Sequence, residues 1–426
     1  MTGIILFGLA LIFLFLGYSV AYTFAGVSLV VGYIAMGSGL FDFMPYRIMS
    51  IMQNTTMMAI PMFVFMGIVL QKTGLAERLL ESAAKLFGSN PGGLAISTII
   101  VGSLLAASTG VVGASVVAMG VISLPVMLKN NYHPPTATGV ICAAGTLGQI
   151  IPPSIILIIL GDVMGIPVGD LFRAAIIPGL LLVVIYIIYI VILGKIKPEF
   201  CPPIEVTENK KEILIQAAKD ILPPLVLIIA VLGSIFAGVA TPTESSAIGC
   251  IGAVILSIFY GSFSFGKINE VAKETVKVSS MIFAVLIGAT AFSMVFSYSG
   301  GDDLIHDFFM GLPGDKWTFI FLTMLAILIL GFFIDFIEIA FVVVPMLTPV
   351  AIALNIDLVW FAVLISMNLQ TSFLTPPFGF SLFYLKGVAP KSVKTTTIYK
   401  GVIPFIILQI IVLALVMFFP NELILS

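Results

Sequence analysis

Long apolar stretches alternate with short polar ones along almost the whole chain, at lengths that suit helices crossing a bilayer. Each crossing needs roughly 20 mainly apolar residues. The pattern predicts spans near 3–17, 19–36, 50–71, 92–128, 135–161, 171–194, 221–239, 244–262, 278–298, 317–355, 358–385 and 401–420. Two of these, 92–128 and 317–355, are too long for one helix and too short for two full crossings with a loop. Each fits a re-entrant hairpin, in which two half-helices enter from one side, meet inside the protein and return. Such irregular backbone is tolerated at membrane depth only where protein or water covers it.

Composition sharpens this picture. Of 426 residues 60% are hydrophobic and 9% charged, against about 25% charged in a soluble domain. Residues 86–128 and 317–385 hold no Lys or Arg. A soluble enzyme, a nucleic-acid binder and a disordered scaffold are excluded, and the fold class expected is an all-α polytopic membrane protein. Cys142, Cys201 and Cys250 are too scattered for a disulfide framework or a zinc site and read as small apolar fillers. No basic residue precedes Arg47, so residues 3–17 read as a retained helix and not as a secretory signal.

The chain also resembles itself. QIIPPSIILIILG in the first half answers SFLTPPFGFSLFYLKG in the second; Pro152 matches Pro376 and Pro125 matches Pro349, both 224 residues apart. Thr73-Gly74 matches Ser299-Gly300 further upstream. Matched loops have opposite charge character. The loop at 72–85 carries Lys72, Arg78 and Lys85, whereas its counterpart at 300–316 carries Asp302, Asp303, Asp307 and Asp315. By the positive-inside rule they lie on opposite sides. The organisation expected is therefore an inverted repeat: 1–196, a cytoplasmic linker 197–220, and 221–426. Each repeat has scaffold helices, a hairpin (about 92–128 and 317–355) and a Pro-broken helix (about 135–161 and 358–385). All basic residues except Arg47, Arg173 and Lys316 then fall in the cytoplasm, and both termini lie outside. Inverted repeats with broken helices near the midplane mark secondary transporters.

The candidate chemistry sits at the breaks. Around Ser108-Thr109-Gly110, with Ser115 beyond, half-helix ends and hydroxyls can face inward; an ordinary small-residue packing face reads equally well. Asp335 and Glu338 stand three residues apart with no basic residue between Lys316 and Lys386. An uncompensated acid at membrane depth is a functional-site candidate; the alternatives are a protonated acid bonded to backbone, or a partner from a distant span. Pro152-Pro153 and Pro376-Pro377 must interrupt their helices, since Pro lacks an N–H and clashes with the preceding turn. Thr146, Gln149 and Ser154 lie near the first pair, and Gln370, Thr371, Ser372 and Thr375 near the second. Carbonyls and hydroxyls there would be hard oxygen ligands for a small cation; simple kinks are the plainer alternative. Thr241-Pro242-Thr243-Glu244 reads as a helix cap. His133 and His306 read as solvated loop residues.

The stretches AIPMFVFMG (59–67), LLAASTGVVGASVVAMG (104–120), GTLGQIIPPSIILIILG (145–161), GVATPTESSA (238–247), GFFID (331–335) and LTPPFG (374–379) resemble the large membrane subunit of tripartite ATP-independent periplasmic (TRAP) transporters. The resemblance implies an elevator transporter of the bacterial inner membrane, in which a scaffold holds a mobile domain containing hairpins and broken helices. It implies sodium-coupled import of a small organic acid delivered by a periplasmic substrate-binding protein. A small four-helix membrane subunit is expected as a separate chain, and no enzymatic activity or nucleic-acid partner is expected. Carried over residue by residue, sodium ligation falls on Ser108, Thr109, Gly110, Thr146 and Pro152, and on Asp335, Gln370, Thr371, Thr375 and Pro376. Substrate contact is expected at Ser115, Gln149, Ser154, Glu338 and Ser372. Phe336-Ile337-Glu338 departs from the small or polar residues usual after GFFID in members for sialic acid and dicarboxylates. A stand-alone carboxylate or cation exchanger, a channel, and the permease of an ATP-driven importer are the competing readings.

Overall fold

A computed structural model describes residues 2–204 and 209–424. Part of the expected linker, 205–208, lies outside the described residues, as do the extreme ends of both expected repeats (1 and 425–426).

In the first half α1 (Thr2–Phe15), α2 (Val20–Met36), α3 (Gly39–Met52), α4 (Ala59–Lys72) and a short α5 (Leu75–Phe87) precede a helical hairpin, α6 (Gly93–Thr109) and α7 (Val112–Lys129). Then α8 (Pro134–Thr146) and α9 (Ile155–Met164) flank the first Pro pair, and α10 (Val168–Ile196) closes the half. The second half runs through α11 (Lys210–Phe236), α12 (Pro242–Phe259), α13 (Phe265–Tyr298), a short α14 (Gly301–Met310) and α15 (Asp315–Leu330). A three-residue α16 (Phe336–Glu338) continues through a π turn at Ile339–Val343 into α17 (Val344–Ala353), and α18 (Leu358–Leu374) and α19 (Phe380–Val388) flank the second Pro pair. Finally come α20 (Thr395–Phe418) and α21 (Pro420–Leu423).

Among the described residues seven helices are long and apolar enough to cross a membrane, or eight if Asp42–Met52 and Thr56–Lys72, bent by 55° to one another, form one span. The chain is an all-helical polytopic membrane protein. The apolar pattern expected more spans because it counts runs of residues, whereas α6, α9, α15 and α18 are pieces of 10–17 residues ended by turns. The expected span at 50–71 is broken inside, where Asn54 Oδ1 accepts from the backbone N–H groups of Thr56 (2.9 Å) and Met57 (3.3 Å).

Two stretches read as loops are helices. In α5, Leu75, Ala76, Leu79, Leu80 and Ala83 are buried while Glu77, Arg78 and Glu81 face out, an amphipathic stripe too short to span. Its counterpart α14 carries Asp302 and Asp303 in the first turn, where acids suit the positive helix end. The glycines before them, Gly74 and Gly300, both adopt φ 72°, which turns the chain sharply into each helix. Further on, Asn131 (φ 59°) and Asn355 (φ 53°) end the two hairpins in the left-handed region that Asn tolerates. Both Pro pairs are joined by cis peptides.

Helices α11 and α13 begin well before their expected spans. Residues Lys267–Lys277 form a charged first stretch of α13 whose Glu274 pairs with Lys72 of α4 at 2.6 Å. The Thr241–Glu244 cap forms as read: Thr241 Oγ1 accepts from the Glu244 N–H (3.3 Å) and Glu244 Oε2 accepts from the Thr241 N–H (2.8 Å). Backbones meet closely where α8 crosses α20, since a Cβ on Gly139 would lie 2.0 Å from the Gly401 carbonyl oxygen.

Candidate functional site

The tip of the first hairpin turns at Gly110 (φ 61°) and is held on several sides. A Cβ on Gly110 would lie 2.8 Å from Ile155 Cγ1, just past the first Pro pair, and one on Gly148 would lie 2.5 Å from the Ala106 carbonyl oxygen. On the other side α4 presses its Gly67 against the backbone of Ser108 and Thr109. The hairpin tip therefore rests against the break in its own half. Ser108, Thr109 and Ser115 are buried, and the Thr109 and Ser115 hydroxyls lie 2.7 Å apart.

At the break, α8 gives way to a 3-10 turn, Leu147–Gln149, before Pro152. Thr146, Gln149 and Ser154 are buried; Ser154 Oγ (2.7 Å) and Ser366 Oγ of α18 (2.8 Å) both donate to the Gln149 carbonyl. The first break is thus tied to the second broken helix. Among the described residues the Gln149 amide has no hydrogen-bond partner on either Oε1 or Nε2.

The second hairpin repeats the arrangement. Gly331, where its first arm ends, packs on Ser372 near the end of α18, and Phe336 and Phe373 rings approach to 5.9 Å. Asp335 caps α16, its Oδ1 accepting from the Phe336 N–H at 2.7 Å. Gln370, Thr371 and Ser372 are buried, and the Gln370 amide, like that of Gln149, has no partner. Thr375 Oγ1 donates to the Thr371 carbonyl (2.7 Å) just before Pro376.

Most hydroxyls at the two breaks spend their hydrogen on their own helix: Ser108 on Leu105, Thr146 on Ala143, Thr371 on Met367 and Ser372 on Leu369, at 2.8–2.9 Å. A hydroxyl so engaged keeps its lone pairs for an electron-poor partner. Together with two orphaned amides and Asp335, this donor set is rich in hard oxygen and free of thiol and imidazole, which fits a small cation such as sodium. Among the described residues no group of three His, Cys, Asp or Glu stands together as a transition-metal centre would require.

Glu338 is placed differently from the other expected substrate residues. It is 6% exposed and faces an apolar crevice of about 10 Å³ lined by Phe7 and Leu11 of α1 and Phe24 of α2, with Oε2 unpartnered. One residue that the sequence reading passed over belongs here. The Tyr384 ring lies over Gly113 of the first hairpin, 3.0 Å from where a Cβ would stand. A lone phenol on a short helix after a Pro pair, beside Lys386, was the available signal. His133 is partly exposed, and one face of its ring stacks on Phe200 with centroids 4.1 Å apart.

Residues 7–422 match the family described as tripartite ATP-independent periplasmic transporter, DctM component. The chain belongs to this family. This DctM-family chain is 30% identical over 409 residues to the sialic acid TRAP transporter large permease protein SiaM of Vibrio cholerae, covering 96% of this chain and 94% of that one. It is 29% identical over 370 residues to the C4-dicarboxylate TRAP transporter large permease protein DctM of Pseudomonas aeruginosa, covering 86% and 85%. The isethionate TRAP transporter permease protein DctMQ of Oleidesulfovibrio alaskensis, a longer protein, is 29% identical, with 98% of this chain and 65% of that one covered. In fold, the DctM-family chain is similar to the YdaH transporter of Alcanivorax borkumensis, with a TM-score of 0.64 at 13% identity over 96% of this chain and 98% of that one. It is thus a transporter permease and not an enzyme. A tripartite system implies a small membrane subunit and a periplasmic binding protein beside it.

Proposed function

We propose that this DctM-family permease imports a small organic acid, driven by sodium and delivered by the periplasmic binding protein, through an elevator movement of the hairpin-bearing body. The observation that carries the reading is that each hairpin turn rests on the Pro break of its own half, Gly110 on Ile155 and Gly331 on Ser372. Two like oxygen-rich junctions then suit two sodium sites. Ser108, Thr109, Gly110, Thr146 and Pro152 would hold one; Asp335, Gln370, Thr371, Thr375 and Pro376 would hold the other. Sodium supplies fixed positive charge that draws each tip onto its break, and an anion then binds between the ordered tips near Ser115, Gln149, Ser154 and Ser372. The names of relatives, which include sialic acid and C4-dicarboxylate permeases, support an acidic cargo.

The recurrence of cis Pro pairs, of left-handed Asn131 and Asn355, and of Gly74 and Gly300 supports the inverted repeat of 1–196 and 221–426. Opposite charge in matched loops supports a reading with both termini outside, in a bacterial inner-membrane protein.

The test is uptake into proteoliposomes holding this chain, its small subunit and the loaded binding protein. Uptake should require an inward sodium gradient, and Asp335→Asn should remove most of it at normal protein level. Sodium-independent uptake, or full uptake by Asp335→Asn, would overturn the coupling. Uptake without any binding protein would favour a stand-alone exchanger.

A further inference from the structure

Between the α3–α4 bend, α9 and α13 lies a second polar cavity, of about 360 Å³, separate from the residues assigned above. Arg47 and Ser50 of α3, Asn54 at the bend, Asp162 of α9, and Thr290 and Ser293 of α13 line it. Phe341, in the π turn of the second hairpin, forms part of the wall, so the cavity borders the hairpin body. Its volume lies within the range of small-ligand pockets.

The two charges in it are unequal in what they have left to offer. Asp162 Oδ1 accepts from Asn54 Nδ2 at 2.6 Å, and Asn54 Oδ1 is held by the Thr56 and Met57 N–H groups. The acid is therefore fixed by a hydrogen-bonded chain. Arg47 has no hydrogen-bond or ion-pair partner among the described residues, although Asp162 lines the same space. A guanidinium in such a place presents a planar fork matched to a carboxylate. The hydroxyls of Ser50, Thr290 and Ser293 can meet further polar groups of a ligand.

We propose that this cavity is an anion-collecting vestibule, in which Arg47 pairs with the carboxylate of the incoming organic acid before it reaches the hairpin tips. The proposal rests on the reading of the cargo as an organic acid. It assigns Arg47 a role that neither the sodium sites nor the substrate residues named above provide. Arg47 is one of three basic residues that the charge pattern sets on the outer side, where such a vestibule would receive cargo.

The test uses the full chain with its small subunit, carrying Ser293→Cys as a reporter; the native Cys142, Cys201 and Cys250 are buried. The reporter should react faster with anionic sulfonatoethyl methanethiosulfonate than with its cationic trimethylammonioethyl analogue. Arg47→Gln should lower that ratio about 5-fold or more, because the exposed Arg47 charge at the cavity raises the local concentration of anions, and Arg47→Lys should retain most of it. In uptake, Arg47→Gln should raise the KM for the organic acid several-fold with sodium dependence unchanged. An unchanged reagent ratio in Arg47→Gln overturns the vestibule. So does an effect confined to the concentration of binding protein required, which would make Arg47 a docking contact. Sodium-independent uptake with an Arg47-dependent ratio would sink the coupling and leave the vestibule standing.

Discussion

A buried amide without partners is costly, of the order of 1–3 kcal/mol per unsatisfied group. Among the described residues Gln149 and Gln370 both carry that cost, each beside a Pro break, and Gln409 of α20 carries it as well. Asp335 was legible from sequence because an acid in a segment without Lys or Arg has nowhere local to go. Tyr384 was not, since its neighbour Gly113 comes from the distant first hairpin and no spacing rule connects them. Gly67 was equally silent, as its value lies in what it lacks. A methyl on Gly67 would stand 2.3 Å from Thr109 Cα and 2.5 Å from the Ser108 carbonyl oxygen, both backbone atoms. Gly67→Ala should therefore destabilise the permease by about 1–3 kcal/mol and displace the first hairpin tip. Melting in detergent should show a lower Tm together with a smaller gain on replacing potassium by sodium. An unaltered Tm and sodium response would contradict this packing.

At the level of elements, the breaks were easier to read than the connections. Pro and Gly announce where a helix must stop, whereas the packing partner of a surface segment is set by the rest of the fold. Thus α5 and α14 hid inside charged loops, and the early charged stretch of α13 was missed because it is held by Lys72 of another helix. The start of the segment read as a cytoplasmic linker binds the base of the first hairpin. Gly92 N–H donates to the Cys201 carbonyl (2.9 Å), His133 N–H to Phe200 (3.0 Å) and Ile204 N–H to Gly88 (2.8 Å). The His133 ring lies on Phe200, and burial, with the charge of Lys197 adding, holds its pKa below the ordinary 6.5. The neutral imidazole is then favoured in the folded chain. Its contribution is complete above pH 6.5 and is lost as pH falls through the lowered value. Between about pH 7 and pH 5 the wild type should lose more thermal stability than His133→Gln, and trypsin should cut the linker faster at the lower pH. Equal pH sensitivity in the two proteins would remove this contact from the account.

For the whole molecule, the question is which helices travel together. The hairpins and broken helices form a natural body, because each tip is seated on a break and the Gln149 carbonyl ties the first break to α18. Helix α20 belongs with them: its Gly401 meets Gly139 of α8 backbone to backbone, and side chains cannot slide past one another at that distance. The matched motifs and their charge asymmetry led to the expectation of an inverted repeat, while the contact of α20 with α8 could only be seen in the structure. The α3–α4 bend meets this body at Asn54–Asp162 through a side-chain hydrogen bond of 2.6 Å, while further along α4 Gly67 lies against Ser108 and Thr109 of the hairpin tip. One such bond contributes about 0.5–1.5 kcal/mol, little enough to break and reform in each cycle. On the elevator reading proposed above, Asn54 and Asp162 separate in each cycle. A short bis-methanethiosulfonate linking Asn54→Cys to Asp162→Cys should therefore arrest uptake, reduction should restore it, and neither single variant should respond to the reagent in this way. Sodium-dependent stabilisation should survive the cross-link, because the hairpin tips and their breaks lie within one body. Continued uptake in the fully cross-linked protein would mean that the cargo passes without relative movement of the bend and α9, and the elevator reading would fall.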